Sequence, residues 1–188
     1  MLPESLLETT RFLDPLNQPD ETTKGVGQQF LRFHLEPATT ALLPVNQLTE
    51  VLTIAIGQII PIPHLSACVM GVHNWRGEIL WMVDLGHLIG LTPLHQQALS
   101  GSTYTAVVIH PSTTTRQTSS QIQAGKMLGL VVHRVEDMEW CNPDLIQSPP
   151  ASAISPALAP FLRGHWLNAQ AELALVLEGN AIVQSFSN

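Results

Sequence analysis

The chain has 188 residues, 45% of them hydrophobic, and a mean hydropathy of +0.17, which is enough apolar material for one ordinary core or two small ones. Eight Lys and Arg against fifteen Asp and Glu leave a net charge of −7, so there is no basic field for a phosphate backbone or anionic lipid, and nucleic-acid and membrane-surface binding are not expected. Only 12% of residues are charged, well under the roughly 25% of an average domain, which leaves a surface either suited to partners or simply rich in Gln, Thr and Ser.

Residues 1–27 carry Pro3, Pro15, Pro19, Gly25 and Gly27 among acids and threonines without a sustained period, and read as a flexible tail. No basic stretch precedes an apolar one there, so no secretory signal is expected. Residues 30–35 alternate Leu31, Phe33 and Leu35 with Arg32 and His34, the period of a strand with two distinct faces. A second strand follows at 41–45. Val45, Leu48, Val51 and Leu52 then fall at helical or strand spacing around Glu50, and 59–63 (IIPIP) is a proline-stiffened crossing. Gln58, Pro61, Pro63, His64 and Ser66 interrupt 51–72 too often for a membrane-spanning helix of about 20 apolar residues. A soluble, cytoplasmic protein is the expectation.

Residues 69–91, VMGVHNWRGEILWMVDLGHLIGL, are the most informative stretch. Two apolar runs flank a tight turn at Arg76-Gly77, where glycine reaches positive φ without steric cost, so a hairpin is predicted. The second run is apolar at nearly every position and should be covered on both faces. Asp84 can cap the short helical turn that follows, and Gly90 can end it. After Thr92-Pro93 and a polar link come a buried strand at 104–109, a low-complexity polar loop at 111–125 read as a mobile hairpin tip, and a strand at 126–132. Val135, Met138 and Trp140 are expected to extend that same sheet. Ser155-Pro156 suggests a short helix over 156–162, and the last apolar run, 173–177, turns at Glu178-Gly179-Asn180 into 181–183. Many short strands and few helices indicate a mainly β, barrel-type fold.

The hairpin sequence GVHNWRGEILWMVDLGHLIGL resembles the signature of the CheW-like family, the coupling domains of bacterial chemotaxis-type signalling. So do FLRFHL at 30–35, LLPVNQLTEVL at 42–52 and LGLVVHRV at 128–135, and the likeness spans about 28–185. It implies a CheW-like domain over 28–188 made of two SH3-like five-stranded β-barrels packed side by side. The boundary would fall near 92–103, strand 30–35 would join the later barrel, and an apolar groove would lie between the two. It further implies a non-catalytic adaptor without cofactor, coupling the cytoplasmic tip of a methyl-accepting chemoreceptor to the regulatory domain of a CheA-type histidine kinase in chemotaxis, phototaxis or pilus motility. In that family the turn arginine, here Arg76, pairs with a glutamate that maps to Glu50. The partner-binding set becomes Val45, Leu48, Glu50, Val51, Asn74, Trp75, Arg76 and Gly77. His73 stands where the family usually has Ile or Val, Trp75 where it usually has Leu, and Trp81 where it often has Pro.

Other chemistry is weakly represented. Eight histidines show no H-x₃-H or H-E-x-x-H spacing, and Cys68 and Cys141 form neither a zinc knuckle nor a disulfide framework, so no metal site is expected. There is no G-x-S-x-G motif and no glycine-rich phosphate loop. Asp137 and Glu139 would share one face of a regular strand, and the run 133–137 reads as a solvated edge. An alternative from another class is a small-molecule-binding barrel module whose groove is walled by Trp75, Trp81, Trp140 and Trp166.

Overall fold

The computed structural model describes residues 27–97, 101–111, 127–150, 152 and 154–187. The leader ahead of Gly27 and nearly all of the polar loop at 111–125 lie outside them. Among the described residues there are ten strands, β1 (Gln28–Glu36), β2 (Thr39–Pro44), β3 (Leu48–Ala55), β4 (Val69–Trp75), β5 (Glu78–Asp84), β6 (Thr103–Ile109), β7 (Leu128–Val132), β8 (Arg134–Cys141), β9 (Leu162–Leu167) and β10 (Leu173–Leu177). The same residues form two short helices, α1 (Leu85–Leu88) and α2 (Gly179–Ser185), and several 3-10 turns.

The strands form two five-stranded sheets, β3-β6-β7-β5-β4 and β8-β1-β2-β10-β9. Both repeat one pattern of pairing: two antiparallel steps, one parallel step (β7 with β5, β2 with β10), then an antiparallel hairpin (β5 with β4, β10 with β9). Each hairpin runs into a short helix capped by an acid. The Asp84 carboxylate accepts from the His87 N–H at 3.0 Å, and Glu178 accepts from the Asn180 N–H at 3.3 Å. The chain is thus a tandem repeat in which the N-terminal β1 and β2 complete the second unit.

Each sheet closes on itself through the segment that follows its first-ranked strand. Ile60, beyond β3, bridges Val72 of β4, and Gln147, beyond β8, bridges His165 of β9. A glycine faces each closure. A side chain at Gly71 would run into the Ile60 carbonyl, and a Cβ at Gly164 would lie 2.7 Å from the Gln147 oxygen. Only a strand without a side chain at that point lets the crossing backbone come so near.

Because each sheet is curled and also packs on the other, β7 is buried at every position; β5, expected to be covered on both faces, is covered only from Leu80 onward, and Glu78 and Ile79 at its start are exposed. Ile54, Leu80, Met82, Ala106 and Val108 fill the first unit, and Phe30, Leu42, Trp166, Ala174 and Val176 the second. The largest apolar group lies between the sheets, where Leu31, Phe33, Leu35 and Leu43 meet Val83, Val107, Ile109, Leu130 and Val132. Each such side chain contributes about 1.5–3 kcal/mol when fully buried. The space between the units is therefore mostly packed core where an open groove was expected.

Four other expectations need correction. Strands β6 and β7 return to the sheet of β3–β5, so the chain passes between units at Val45–Gln47 and at His133, not near 92–103. β8 joins β1 in the second sheet and does not extend the sheet of β7. Residues 162–167 form strand β9, and only Ala159–Phe161 of the predicted helix over 156–162 is helical, as a 3-10 turn. Residues 181–183 belong to α2, whose start is tied to the first crossing by Gln47, which accepts from Gly179 N–H and donates to Glu178, both at 3.0 Å.

Candidate functional site

The β4–β5 hairpin has Trp75 opposite Glu78 and a two-residue turn, Arg76-Gly77, with φ of 53° and 87°. Two successive positive φ values match the twist of the flanking strands. Gly77 adopts the conformation freely, whereas at Arg76 it costs about 1 kcal/mol. Asn74 holds the turn, its Oδ1 accepting from the Gly77 N–H at 3.0 Å. Arg76 is thereby set on a rigid tip with its side chain 68% exposed.

Glu50 meets that tip from β3. Its face of the strand continues inward through Leu52 and Ile54 to the apolar interior of the first unit, so its carboxylate sits at the mouth of that interior. Each of its oxygens has its own donor. Oε2 accepts from Arg76 Nη2 at 2.5 Å, and Oε1 accepts from the indole N–H of Trp75. The guanidinium lies over the Trp75 ring at 5.0 Å, within reach of a cation–π contact. An ion pair this open to water is worth no more than about 1 kcal/mol, so what it provides is orientation.

The eight residues proposed from sequence do not form one patch. Glu50, Asn74, Trp75, Arg76 and Gly77 are brought together at the hairpin tip. Val51 points to the opposite face of β3, 45% exposed. Leu48 packs against the inter-sheet core, and Val45 is half-buried in the 3-10 crossing. Ile79, next in β5 after Glu78, is the most exposed large hydrophobic among the described residues, at 73%, and was not singled out by sequence.

Sequence reasoning also missed a charged network in the second unit. Arg32 of β1, its side chain 14% exposed, donates to Glu136 (2.8 Å), Glu139 (3.1 Å) and Glu172 (2.8 Å). Glu136 also meets His34 at 2.7 Å and Arg134 at 2.8 Å. The pairing of β8 with β1 slips between Leu31 and Phe33, where an extra β8 residue is accommodated, and this bulge puts Glu136 and Glu139 on one face in place of Asp137 and Glu139. The expected solvated edge at 133–137 is in part this network. The hydrogen bond with His34 outweighs burial and holds the Glu136 carboxyl below the ordinary value, with Arg32 adding to it. Asn168 first, then Arg32, does the same for Glu172. Burial works against the Arg32 cation, yet its hydrogen bonds to the three glutamates raise its pKa overall. Burial, with the Glu139 charge nearby, pushes the Cys141 thiol up to about 12, so it is a neutral core group.

A pocket of about 400 Å³ opens at the rim of the inter-sheet core, between Leu65, Cys68, Trp81 and Leu128 of the first unit and Phe186 beyond α2. Of the four tryptophans expected as groove walls, Trp81 alone lines it. Trp166 is in the second core, Trp140 is 59% exposed on β8, and Trp75 is at the hairpin tip. Among the described residues no three His, Cys, Asp or Glu side chains gather as a metal site would require, and no helix is long and apolar enough to cross a membrane.

The profile of the CheW-like domain matches residues 29–187. Among solved structures, the chain is similar to the scaffolding protein TtCheW from Thermoanaerobacter tengcongensis, with 18% identity and a TM-score of 0.62 over 81% of this chain and 89% of that one. No curated protein matches the chain in sequence.

Proposed function

The chain belongs to the CheW-like domain family, and from that premise we propose that it is a scaffold of chemotaxis-type signalling that works by being held between partners and transforms no substrate. The partners are the cytoplasmic tip of a methyl-accepting receptor and the regulatory domain of a CheA-type histidine kinase, met in the cytoplasm. The receptor docks on the hairpin tip bearing Arg76, and the kinase on an exposed barrel edge. The observation that carries this reading is the exposed Arg76 guanidinium, held by Glu50 on a turn whose backbone is strained at that residue. Strain of this kind collects where a side chain must be displayed. Ile79, exposed on the outer face of the same hairpin, supplies apolar contact area of the sort that anchors an interface. The test is a bridging assay: receptor tip and kinase are mixed with the wild-type chain or with Arg76→Glu and sedimented together. Recovery of kinase with receptor in the presence of wild type, and its loss with the variant, supports the reading; equal recovery counts against it.

A second reading is favoured by the pocket beside Trp81, whose volume falls in the range of small-ligand sites. It makes the chain an apolar-metabolite binder. Thermal stabilisation by a bound metabolite, together with no kinase capture, is its signature.

A further inference from the structure

We propose that Trp75 is the positioning residue of the docking surface. Its indole N–H and ring fix Glu50 and Arg76 in one presentation, and the surface so formed is read by carbonyl oxygens of the partner, not by its net negative charge. The inference rests on the docking reading above and adds how that site is set and what it recognises. Trp75 is anchored from below, half-buried against the apolar group of Ile54 and Leu80. It cannot swing away without leaving that group. From this fixed seat it engages Oε1 of Glu50, leaving Oε2 for Arg76, and its ring covers one face of the guanidinium. The arginine is thus held at three points: its backbone by the Asn74-braced turn, one nitrogen by Glu50, one face by the indole. Leucine, which the family resemblance would place at position 75, offers neither an N–H nor a π face.

The charge of Arg76 is already matched by Glu50, in a chain of net charge −7. A strongly acidic partner therefore gains little from this pair. What remains open is the set of guanidinium N–H groups not used by Glu50, rigidly aimed. Such donors suit the unpaired carbonyls at the C-terminal end of a helix or in a turn.

The test uses the full chain. In the free protein, the four indole N–H resonances are recorded by ¹H–¹⁵N NMR, and Trp75→Phe identifies the one belonging to Trp75. That resonance is expected to move in Glu50→Ala, and an unmoved one overturns the positioning role without any partner being involved. Binding is then followed by calorimetry, with the purified cytoplasmic tip of a methyl-accepting receptor as the probe. Trp75→Phe, which keeps the ring and removes the donor, is expected to bind roughly tenfold more weakly. In a Glu50→Ala background the same change should have almost no further effect, because Trp75 acts through Glu50. Equal weakening in both backgrounds overturns positioning, as does a Trp75→Phe chain that binds like wild type while Arg76→Glu does not. If Arg76→Glu itself binds like wild type, the docking reading fails and not merely the role of Trp75. Affinity is expected to change little between low and physiological salt, and a steep fall overturns the carbonyl-recognition claim.

Discussion

Glu50 and Arg76 are 26 positions apart in the chain, and their side chains meet at 2.5 Å. β3 carries the glutamate and the β4–β5 turn the arginine, and these strands are the two ends of the first sheet's order. The pair therefore spans the seam where that sheet closes, near the Ile60 bridge to Val72. A contact at a seam reports whether the ring is intact. It also displays the guanidinium on a rim turn that Asn74 and Glu50 brace.

The turn can be improved at the expense of the site. Arg76 adopts positive φ, a conformation that asparagine tolerates better. Arg76→Asn creates Asn-Gly and is expected to raise stability by up to about 1 kcal/mol in urea unfolding while weakening receptor-tip binding. A variant that loses stability would show that the Glu50 pair contributes more than the strain costs.

The two closure glycines should behave alike. A Cβ at Gly71 would press on the backbone of Ile60 and Pro61, and one at Gly164 on Gln147 and Ile146. Gly71→Ala and Gly164→Ala are each expected to cost at least about 2 kcal/mol in denaturant unfolding. Gly57, with nothing within 4 Å of its would-be Cβ, is the control, and Gly57→Ala should be tolerated. Equal effects at all three positions would mean that the closures are not tight.

Asp84 is buried and accepts from two backbone N–H groups, His87 at 3.0 Å and Leu94 at 2.7 Å, fixing α1 and the loop after it. Asp84→Ala strands both donors, and a loss of about 2–4 kcal/mol is expected from thermal or urea unfolding.

Acid sensitivity should trace to Arg32. The folded-state pKa values of Glu136 and Glu172 lie below the ordinary 4.5. Their contribution is therefore complete above that value and is lost as pH falls through the lower folded-state values. Arg32→Leu removes the common partner and leaves three carboxylates together, so the variant is expected to unfold at a lower urea concentration than wild type at neutral pH. Unfolding midpoints compared from pH 7 down to pH 3 should show the gap to wild type narrowing in the acid range, because protonation relieves the repulsion in the variant just as wild type loses its pairs. A gap that stays constant with pH would sever this link.

What could be read from sequence was local. The β4–β5 hairpin, its two-residue turn, the Asp84 cap and the run of β6 all lie within a few residues of the signals that specify them. The Glu50–Arg76 contact came from the family resemblance, since no spacing rule joins residues 26 apart. The Arg32 network was out of reach for a similar reason: its partners lie 104 to 140 positions away, and a one-residue bulge in β8 decides which glutamates face it. The return of β6 and β7 to the first sheet is likewise a tertiary choice that period-two patterns cannot encode. Residues 162–167 were hidden as a strand by the Ser-Pro signal just ahead, and α2 by being only seven residues long. Trp75 could have been noticed as a donor, because a tryptophan beside a display turn needs a partner for its N–H once it is half-buried.

The central claim is that the chain is recognised through the arginine of its hairpin tip. The most direct measurement is the calorimetric titration of full-length chain with a purified receptor tip, wild type against Arg76→Glu, with both proteins shown to unfold at similar urea concentrations. Saturable binding by wild type and at least a tenfold loss in the variant is the predicted result. Undiminished binding by a folded Arg76→Glu chain would contradict it.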